Sequence, residues 1–96
     1  MARYSLTEPA VADLEDIRDY IARDSPAFAL RHLARLKQVF ASLAEVPGQG
    51  RFRPELGSAV QSFPVGNYLI FYQQVDGDIL ILRVIHAARD FDTLIS

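Results

Sequence analysis

Two long apolar runs joined by a tight turn, between residues 62 and 90, restrict the fold more than any other part of the chain. Residues 68–75 are rich in aromatic and β-branched side chains, and residues 79–85 are almost entirely aliphatic. Between them lies an Asp76-Gly77 pair, which favours a two-residue hairpin turn because glycine adopts a positive φ without steric cost. Runs this apolar belong where a sheet is covered on at least one face. The sequence therefore predicts a central β-hairpin.

Two amphipathic helices are predicted before this hairpin. Thr7 and Ser25 are each suited to cap a helix N-terminus, and each is followed within two residues by a proline that the first helical turn tolerates. Apolar residues then recur at helical spacing to about residue 24 in the first helix and about residue 46 in the second. Pro47-Gly48 ends the second helix. The short connection between the helices predicts a helical hairpin.

The predicted order of elements is β-α-α-β-β-β, with short strands over residues 3–6 and 59–63 and a loop over 47–58 that contains a helical turn at 54–56. Strands and helices are grouped, so we expect an α+β fold with a mainly antiparallel sheet and the helical hairpin packed on one face. The 96 residues fit one domain, spanning residues 1–96. The residues expected at the helix–sheet interface are Leu14, Ile17, Leu33, Leu36, Phe40, Leu43, Ile70, Tyr72, Leu80 and Leu82.

The composition excludes several classes of protein. The chain has no cysteine, which excludes disulfides and thiolate zinc sites. It has no apolar run near the ~20 residues that span a bilayer and no signal-peptide pattern, so we expect a cytoplasmic protein with no membrane contact. A net charge of -2 argues against a general nucleic-acid binder. However, residues 31–53 carry five basic side chains and one acidic side chain, which leaves a local basic surface open.

The residues offer little that resembles a catalytic or metal site. No metal-ligand spacing is present, and Asp13 and Asp16 are interpreted as part of a solvated acidic face. No serine lies in a nucleophile motif. The best candidate group is a set of polar residues at the end of the last predicted strand: Arg83, His86, Arg89 and Asp90. Together with the arginines of the 47–58 loop, it could support RNA cleavage by general acid–base catalysis. The alternative is structural, with the arginines paired to nearby acids and the histidine hydrogen-bonded at the strand end.

Four fragments in the same order and spacing resemble the ParE branch of the ParE/RelE toxin superfamily. They are A-x-x-D-L-x-x-I-x-x-Y-I at residues 10–21, P-x-x-G-R at 47–51, S-F-P-V-G-N-Y-L-I-F-Y at 62–72 and I-L-R-V-I-H-A-A-R-D at 81–90. Members of this superfamily are the toxin halves of bacterial toxin–antitoxin operons. The resemblance covers almost the whole chain and implies the same β-α-α-β-β-β fold.

The resemblance also implies a function, a target and a partner. It implies inhibition of DNA gyrase, neutralisation by a ParD-like antitoxin in a heteromeric complex, and no catalytic residue, metal or cofactor. Nucleic acid would be contacted only through the antitoxin or gyrase. The RelE branch instead cleaves mRNA on the ribosome, but it usually has arginine where this chain has Leu69 and a catalytic group in the tail, where residues 91–96 have none. Cleavage of mRNA is therefore the alternative. A further alternative is a non-toxic antitoxin-binding module, because Gln61 and Gln73 stand at positions where the family often has arginine.

Two contact sites follow from this interpretation. The target-binding site is expected at the polar cluster of Arg83, His86, Arg89 and Asp90, which would act by contact rather than by proton transfer. The antitoxin is expected to dock on the helical hairpin as an amphipathic helix and then to cross the basic loop, because exposed apolar patches beside complementary charge mark interaction sites. The antitoxin-binding residues are predicted to be Arg51, Phe52, Arg53, Leu56 and Phe91.

Overall fold

In the computed structural model, which describes residues 2–88, two helices pack on one face of a five-stranded sheet. The strand order is β1-β5-β4-β3-β2, with β1 parallel to β5 and the other neighbours antiparallel. This confirms the predicted α+β class, the mainly antiparallel sheet and the helical hairpin on one face. The elements are β1 (Tyr4–Leu6), α1 (Glu8–Ala22), α2 (Pro26–Glu45), β2 (Arg51–Phe52), β3 (Gln61–Val65), β4 (Tyr68–Val75) and β5 (Asp78–His86).

Both helices begin at the predicted caps. The Thr7 hydroxyl accepts a hydrogen bond from the Ala10 N–H at 3.1 Å, and the Ser25 hydroxyl accepts one from the Phe28 N–H at 3.1 Å. Each bond satisfies a backbone donor that the first helical turn leaves unpaired. The starts of the helices are therefore local properties of the sequence.

The predicted turn between β4 and β5 is also confirmed. Asp76 and Gly77 both have positive φ, 51° and 85°, as a two-residue turn of type I′ requires. The helical turn predicted at residues 54–56 is a short 3₁₀ helix, Pro54–Leu56, and a second one that was not predicted lies at Pro47–Gln49.

Strand β2 was missed, and β3 lies two residues later than predicted. β2 has only two residues, which pair with the first two residues of β3, and two residues carry no periodic signal. Pro64 lies inside β3 although it cannot donate to a ladder. It is tolerated because the pairing with β2 ends at Ser62, which leaves that edge of β3 unpaired at Pro64.

The core lies between the helices and the near face of the sheet, which we call the helix face. Six of the ten expected interface residues are fully or almost fully buried there, and Leu14 and Leu33 pack at its margin. The six are Ile17, Leu36, Phe40, Leu43, Ile70 and Tyr72.

The prediction for β5 was wrong by one residue. Ile79 and Ile81 face the helices, whereas Leu82 packs in a second cluster on the opposite side of the sheet, the back face. Because β5 is apolar throughout, its sequence did not distinguish the two faces. The register also shifts: Tyr72 pairs with Ile81, but the preceding residue of β4 pairs with Arg83. Leu82 is thus the extra residue of a β-bulge, and beyond it the even-numbered residues face the helices.

Phe40→Ala should lower the free energy of unfolding by about 3–5 kcal/mol, because the Phe40 side chain is fully buried and packs edge-on against Tyr4 with ring centroids 5.4 Å apart. Phe52→Ala is the matched control, since Phe52 is 58% exposed and its loss should change stability by less than about 0.5 kcal/mol. Denaturant unfolding followed by circular dichroism measures both. Equal losses in the two variants would contradict the assignment of the core.

Candidate binding surfaces

Beyond the end of β1, the edge of β5 is hydrogen-bonded to Thr7 and to helix α1. β1 pairs with β5 only as far as Ile81. The Thr7 N–H donates to the Ile81 carbonyl at 3.1 Å, and the Thr7 hydroxyl donates to the Leu82 carbonyl at 2.9 Å. One and a half turns into α1, the Asp13 carboxylate accepts a hydrogen bond from the Val84 N–H at 3.0 Å. The polar groups of this bulged edge are therefore satisfied by α1.

The same Asp13 carboxylate binds Arg83 through two hydrogen bonds. Arg83 Nε lies 2.7 Å from one carboxylate oxygen and Arg83 Nη2 lies 2.9 Å from the other. The Asp13 side chain is 13% exposed and that of Arg83 is 40% exposed, so the pair lies at the boundary between core and solvent. The interpretation of Asp13 as a solvated residue was wrong. Arg83 is paired with an acid, as the structural alternative expected, but with one that lies 70 residues earlier in the chain.

The register of β5 separates Arg83 from His86. Arg83 pairs with Phe71, a member of the back-face cluster, and His86 pairs with Tyr68, a member of the helix-face cluster. Successive strand residues point to opposite faces, and three positions along an uninterrupted strand reverse the face. The two residues that the sequence grouped in one cluster thus start from opposite sides of the sheet. Arg89, Asp90 and Phe91 lie outside the described residues.

A small cavity on the back face brings together two residues that were assigned to different partners. It has a volume of about 180 Å³ and is lined by Leu56, Val60, Phe71, Leu82 and Arg83. Of the lining residues within the described part of the chain, Arg83 alone is polar. Leu56, predicted to bind the antitoxin, therefore lies beside Arg83, predicted to bind the target.

A buried polar network fixes the loop after α2. The Tyr72 hydroxyl donates to the Pro47 carbonyl at 2.7 Å and accepts from the Gly50 N–H at 2.9 Å. Burial raises the pKa of Tyr72, which keeps this phenol protonated as a donor. The Gln61 amide donates to the Pro47 and Gly50 carbonyls and accepts from Gln74. A Cβ at Gly50 would lie 2.7 Å from the Tyr72 ring, so the close approach requires glycine.

This network presents Arg51 and Phe52 to solvent on β2, next to the fixed loop. Arg53 differs from Arg51, because its Nε donates to the Ser62 hydroxyl at 2.7 Å and its side chain is mostly buried. Of the two arginines predicted to bind an antitoxin, Arg51 is thus the accessible one. Gln61 occupies the position before the S-F-P-V segment as a buried structural residue.

A larger cleft lies between the helical hairpin and the turn joining β3 to β4. We call it the histidine cleft, and its volume is about 370 Å³. The centroid of the Tyr68 ring lies 5.3 Å from the centroid of the His32 ring and 5.3 Å from that of the His86 ring. Among the described residues His32 Nε2 is buried without a hydrogen bond. Burial, and secondarily the Arg35 guanidinium, lower the pKa of His32. The side chains that define the cleft are Tyr20, Phe28, His32, Arg35, Tyr68 and His86.

The sequence did not predict this cleft, because its residues come from both helices and from three strands, β3, β4 and β5. The signal available in the sequence was the spacing of Phe28, Arg31, His32 and Arg35, which places two rings and two arginines on one side of α2.

A shallow groove also runs along the outer side of the hairpin, between α1 and α2. It has a volume of about 160 Å³ and contains apolar residues flanked by charged ones. Leu30, which is 69% exposed, and half-exposed Val11 extend the apolar surface of this side. The residues lining the groove are Val11, Leu14, Glu15, Arg18, Leu33 and Lys37.

Two structural features are absent from residues 2–88. No group of three or more histidine, aspartate or glutamate side chains in this part of the chain is placed to hold a metal ion. No helix within it is both long and apolar enough to cross a membrane.

Comparison with known proteins identifies the class to which this fold and these surfaces belong. A family model described as "ParE toxin of type II toxin-antitoxin system, parDE" matches residues 4–91. The chain therefore belongs to the ParE toxin family, and it is a toxin of a type II toxin–antitoxin system. The predicted resemblance is confirmed, and membership supports an antitoxin as the partner.

Individual relatives carry names from both branches of the superfamily. The chain is 43% identical over 89 residues to "Toxin RelE2" of Caulobacter vibrioides, covering 93% of this chain and 99% of the relative. It is 30% identical over 86 residues to "Toxin ParE3" of the same organism, covering 88% of this chain and 86% of the relative. A solved structure titled "Chromosomal ParDE TA system from P. aeruginosa" is similar with a TM-score of 0.73 and 26% identity, covering 90% and 95%.

Asp13→Ala should lower the free energy of unfolding by about 1.5–3 kcal/mol, because the change removes the side chain that accepts hydrogen bonds from the Val84 N–H and from two nitrogens of Arg83. Asp16→Ala, on the exposed side of the same helix, is the matched control and should change stability by less than about 0.5 kcal/mol. Thermal and denaturant unfolding of the two variants measure the difference. If both variants unfold like the parent protein, α1 is not attached to β5 through Asp13.

Acidification should destabilise the fold partly through His32. Its pKa is lowered in the folded protein, so between its unfolded value of 6.5 and the lower folded value the unfolded chain binds more protons. The contribution of neutral His32 to the free energy of unfolding is therefore complete above the unfolded pKa. It declines as the pH falls below that value. Unfolding free energies measured from about pH 7 to about pH 5 should decrease less steeply for His32→Gln than for the parent. Identical pH slopes for the two proteins would contradict the assigned direction.

Proposed function

We propose that this toxin inhibits DNA gyrase by direct contact and that a ParD-like antitoxin neutralises it in the cytoplasm. The observation that carries the proposal is the register of β5, which directs Arg83 and His86 to opposite faces of the sheet. Cleavage of RNA by general acid–base catalysis needs a proton-transfer group and a charge-stabilising group at the same phosphate. The geometry of these two residues favours binding over proton transfer.

Arg83 is the proposed centre of the target-binding surface. Its bidentate pairing with Asp13 fixes the guanidinium, and the side chain keeps 40% of its surface accessible. A planar guanidinium binds carboxylates and phosphates through parallel hydrogen bonds, and fixing it beforehand lowers the entropy lost on binding. The apolar back-face cavity beside it offers a site for a side chain of the target. A fixed cation beside an apolar cavity is typical of an interface hot spot. We propose Arg89 and Asp90 as further contacts on the sequence pattern alone.

The antitoxin is proposed to bind the outer groove of the hairpin and then β2. The groove has an apolar floor between Glu15 and Arg18 on one helix and Lys37 on the other, which suits an amphipathic helix of mixed charge. On β2, Arg51 and Phe52 are exposed and would supply a charged and an aromatic contact. Arg53 would then act mainly by holding β2 to β3 through Ser62. The solved structure named for a ParDE system supports an antitoxin of this class.

Ribosome-dependent mRNA cleavage of the RelE type is the second candidate function. The observation that favours it is the relative named "Toxin RelE2". It requires His86 to transfer a proton, since the tail at residues 91–96 carries no catalytic group of the RelE type. A third candidate, a non-toxic antitoxin-binding module, would retain the groove and β2 surfaces and lack both activities.

Both activities should be measured on one preparation of the purified protein. We expect it to increase gyrase-linked cleaved plasmid and to leave ribosome-bound mRNA intact. His86→Gln should keep gyrase inhibition within about threefold, whereas removal of a general acid or base typically costs about 10²–10⁴-fold. Arg83→Gln should reduce gyrase inhibition by at least about tenfold, since hydrogen bonds to charged groups contribute about 1.5–3 kcal/mol.

Two controls separate contact from folding. Circular dichroism should show that Arg83→Gln remains folded at the assay temperature, and Arg18→Gln, an exposed arginine paired with its neighbour Asp19, should leave gyrase inhibition unchanged. Cuts in mRNA at the ribosome that disappear in His86→Gln, without any effect on gyrase, would establish the RelE-type function instead. Neither activity in the parent protein would support the non-toxic module.

A further inference from the structure

One side of α2 carries aromatic rings and arginines in alternation. Phe28, Arg31, His32 and Arg35 occupy positions i, i+3, i+4 and i+7, which lie on one face of a helix. Phe28 is half exposed, and the Arg31 guanidinium lies 5.7 Å from the centre of its ring. No ion pair engages Arg31 or Arg35 within residues 2–88. Alternating rings and cations are a pattern typical of surfaces that bind single-stranded nucleic acid.

The Phe28 and His32 rings form one aromatic surface. They are nearly parallel, with an interplanar angle of 8° and centroids 6.4 Å apart. Parallel aromatic pairs with this separation of centroids are stacked with an offset. The half-exposed face of Phe28 is therefore a surface on which an unstacked base can stack.

The histidine cleft has aromatic walls. The Tyr68 and His32 side chains both line it, and the centroids of their rings lie 5.3 Å apart. An unstacked base can therefore lie against aromatic rings within the cleft.

The charges around the cleft favour an anionic ligand. Among residues 2–88, the ionisable residues that line it are two tyrosines, two histidines and Arg35, and no aspartate or glutamate of this range lines it. Arg31 adds a second cation on the same face of α2. The chain as a whole has a net charge of -2, so the attraction is local and would extend over only a few phosphates.

We propose that the histidine cleft and the adjoining face of α2 bind an unstacked base of single-stranded DNA, with the flanking phosphates at Arg31 and Arg35. The cleft volume of about 370 Å³ falls within the range of small-ligand sites. The choice of DNA over RNA rests on the proposed action at gyrase, whereas the binding of a base does not. Contact with nucleic acid would then be direct, in contrast to the indirect contact that the sequence predicts.

The test uses the purified protein and a fluorescein-labelled single-stranded oligodeoxyadenylate of about eight nucleotides, with binding followed by fluorescence anisotropy. We expect a Kd below about 1 mM at about 50 mM salt. Phe28→Ala should weaken binding by about fivefold to a hundredfold, and Phe28→Trp should restore it. Leu30→Ala is the matched control, because Leu30 is an exposed apolar residue on another side of the same helix, and it should leave the affinity unchanged.

The arginines are tested through the salt dependence. Each phosphate neutralised on a single strand contributes about 0.7 to the slope of log K against log salt concentration. Arg31→Gln and Arg35→Gln should each lower the magnitude of that slope by about 0.7. Lys37→Gln removes a charge from the same helix outside this face and should leave the slope unchanged.

Several outcomes would overturn the proposal: no binding of the oligonucleotide, equal losses in Phe28→Ala and Leu30→Ala, or tenfold tighter binding of the duplex or of the matching RNA. Tighter binding of an acidic peptide containing tryptophan, lost in Phe28→Ala, would assign the cleft to a protein segment instead. The gyrase assay tests the proposed function, and the oligonucleotide assay tests this inference. A protein that binds the oligonucleotide but does not trap gyrase would contradict the proposed function alone, and the converse would contradict this inference alone.

Discussion

The attachment of α1 to the open edge of β5 depends on the hydrogen bonds that the Asp13 carboxylate accepts. Asp13 lies on α1, yet its carboxylate accepts hydrogen bonds from the backbone of β5 at Val84 and from the Arg83 side chain. β1 has only three residues, so the bulged edge of β5 would be exposed beyond Ile81 if α1 did not cover it. A carboxylate suits this position because it accepts several hydrogen bonds at once, and ionic acceptors form stronger bonds than neutral ones. The pair also places Arg83 at the rim of the back-face cavity, which connects the packing of α1 with the proposed target surface.

The opposite edge of the sheet is held by neutral polar groups. Tyr72 and Gln61 are buried, and together they bind both carbonyls and the N–H that the loop after α2 directs inward. A fully satisfied buried network is rigid, because each group that moves leaves another unpaired. The loop therefore holds Arg51 and Phe52 in place beside the sheet. A toxin that acts by contact needs such fixed surfaces, since ordering a loop on binding reduces affinity.

The helical hairpin has two sides with different chemistry. Its outer groove is apolar with mixed charge, whereas the side that meets the histidine cleft combines rings with cations. One side suits an amphipathic helix and the other an anionic flat ligand, so an antitoxin and a nucleic acid could be bound by separate surfaces of α2. The names of the relatives belong to both toxin branches. A fold does not by itself define a target. In the function proposed above, the distinction comes from side chains such as Arg83 and His86, which the register of β5 separates.

The sequence by itself determined the features that depend on neighbouring residues: the caps at Thr7 and Ser25, the turn at Asp76-Gly77, the α+β class and the four fragments that resemble the ParE family. Each is set by hydrogen bonds or dihedral angles within a few positions, or by a pattern along the chain. Only the tertiary structure decided which face of β5 meets the helices, because that strand is apolar on both sides and a bulge shifts its register. It alone decided that Asp13 binds Arg83, that Arg83 and His86 diverge, and that rings from distant segments form the histidine cleft. These contacts join residues tens of positions apart, and no local pattern in one chain specifies which distant partners meet.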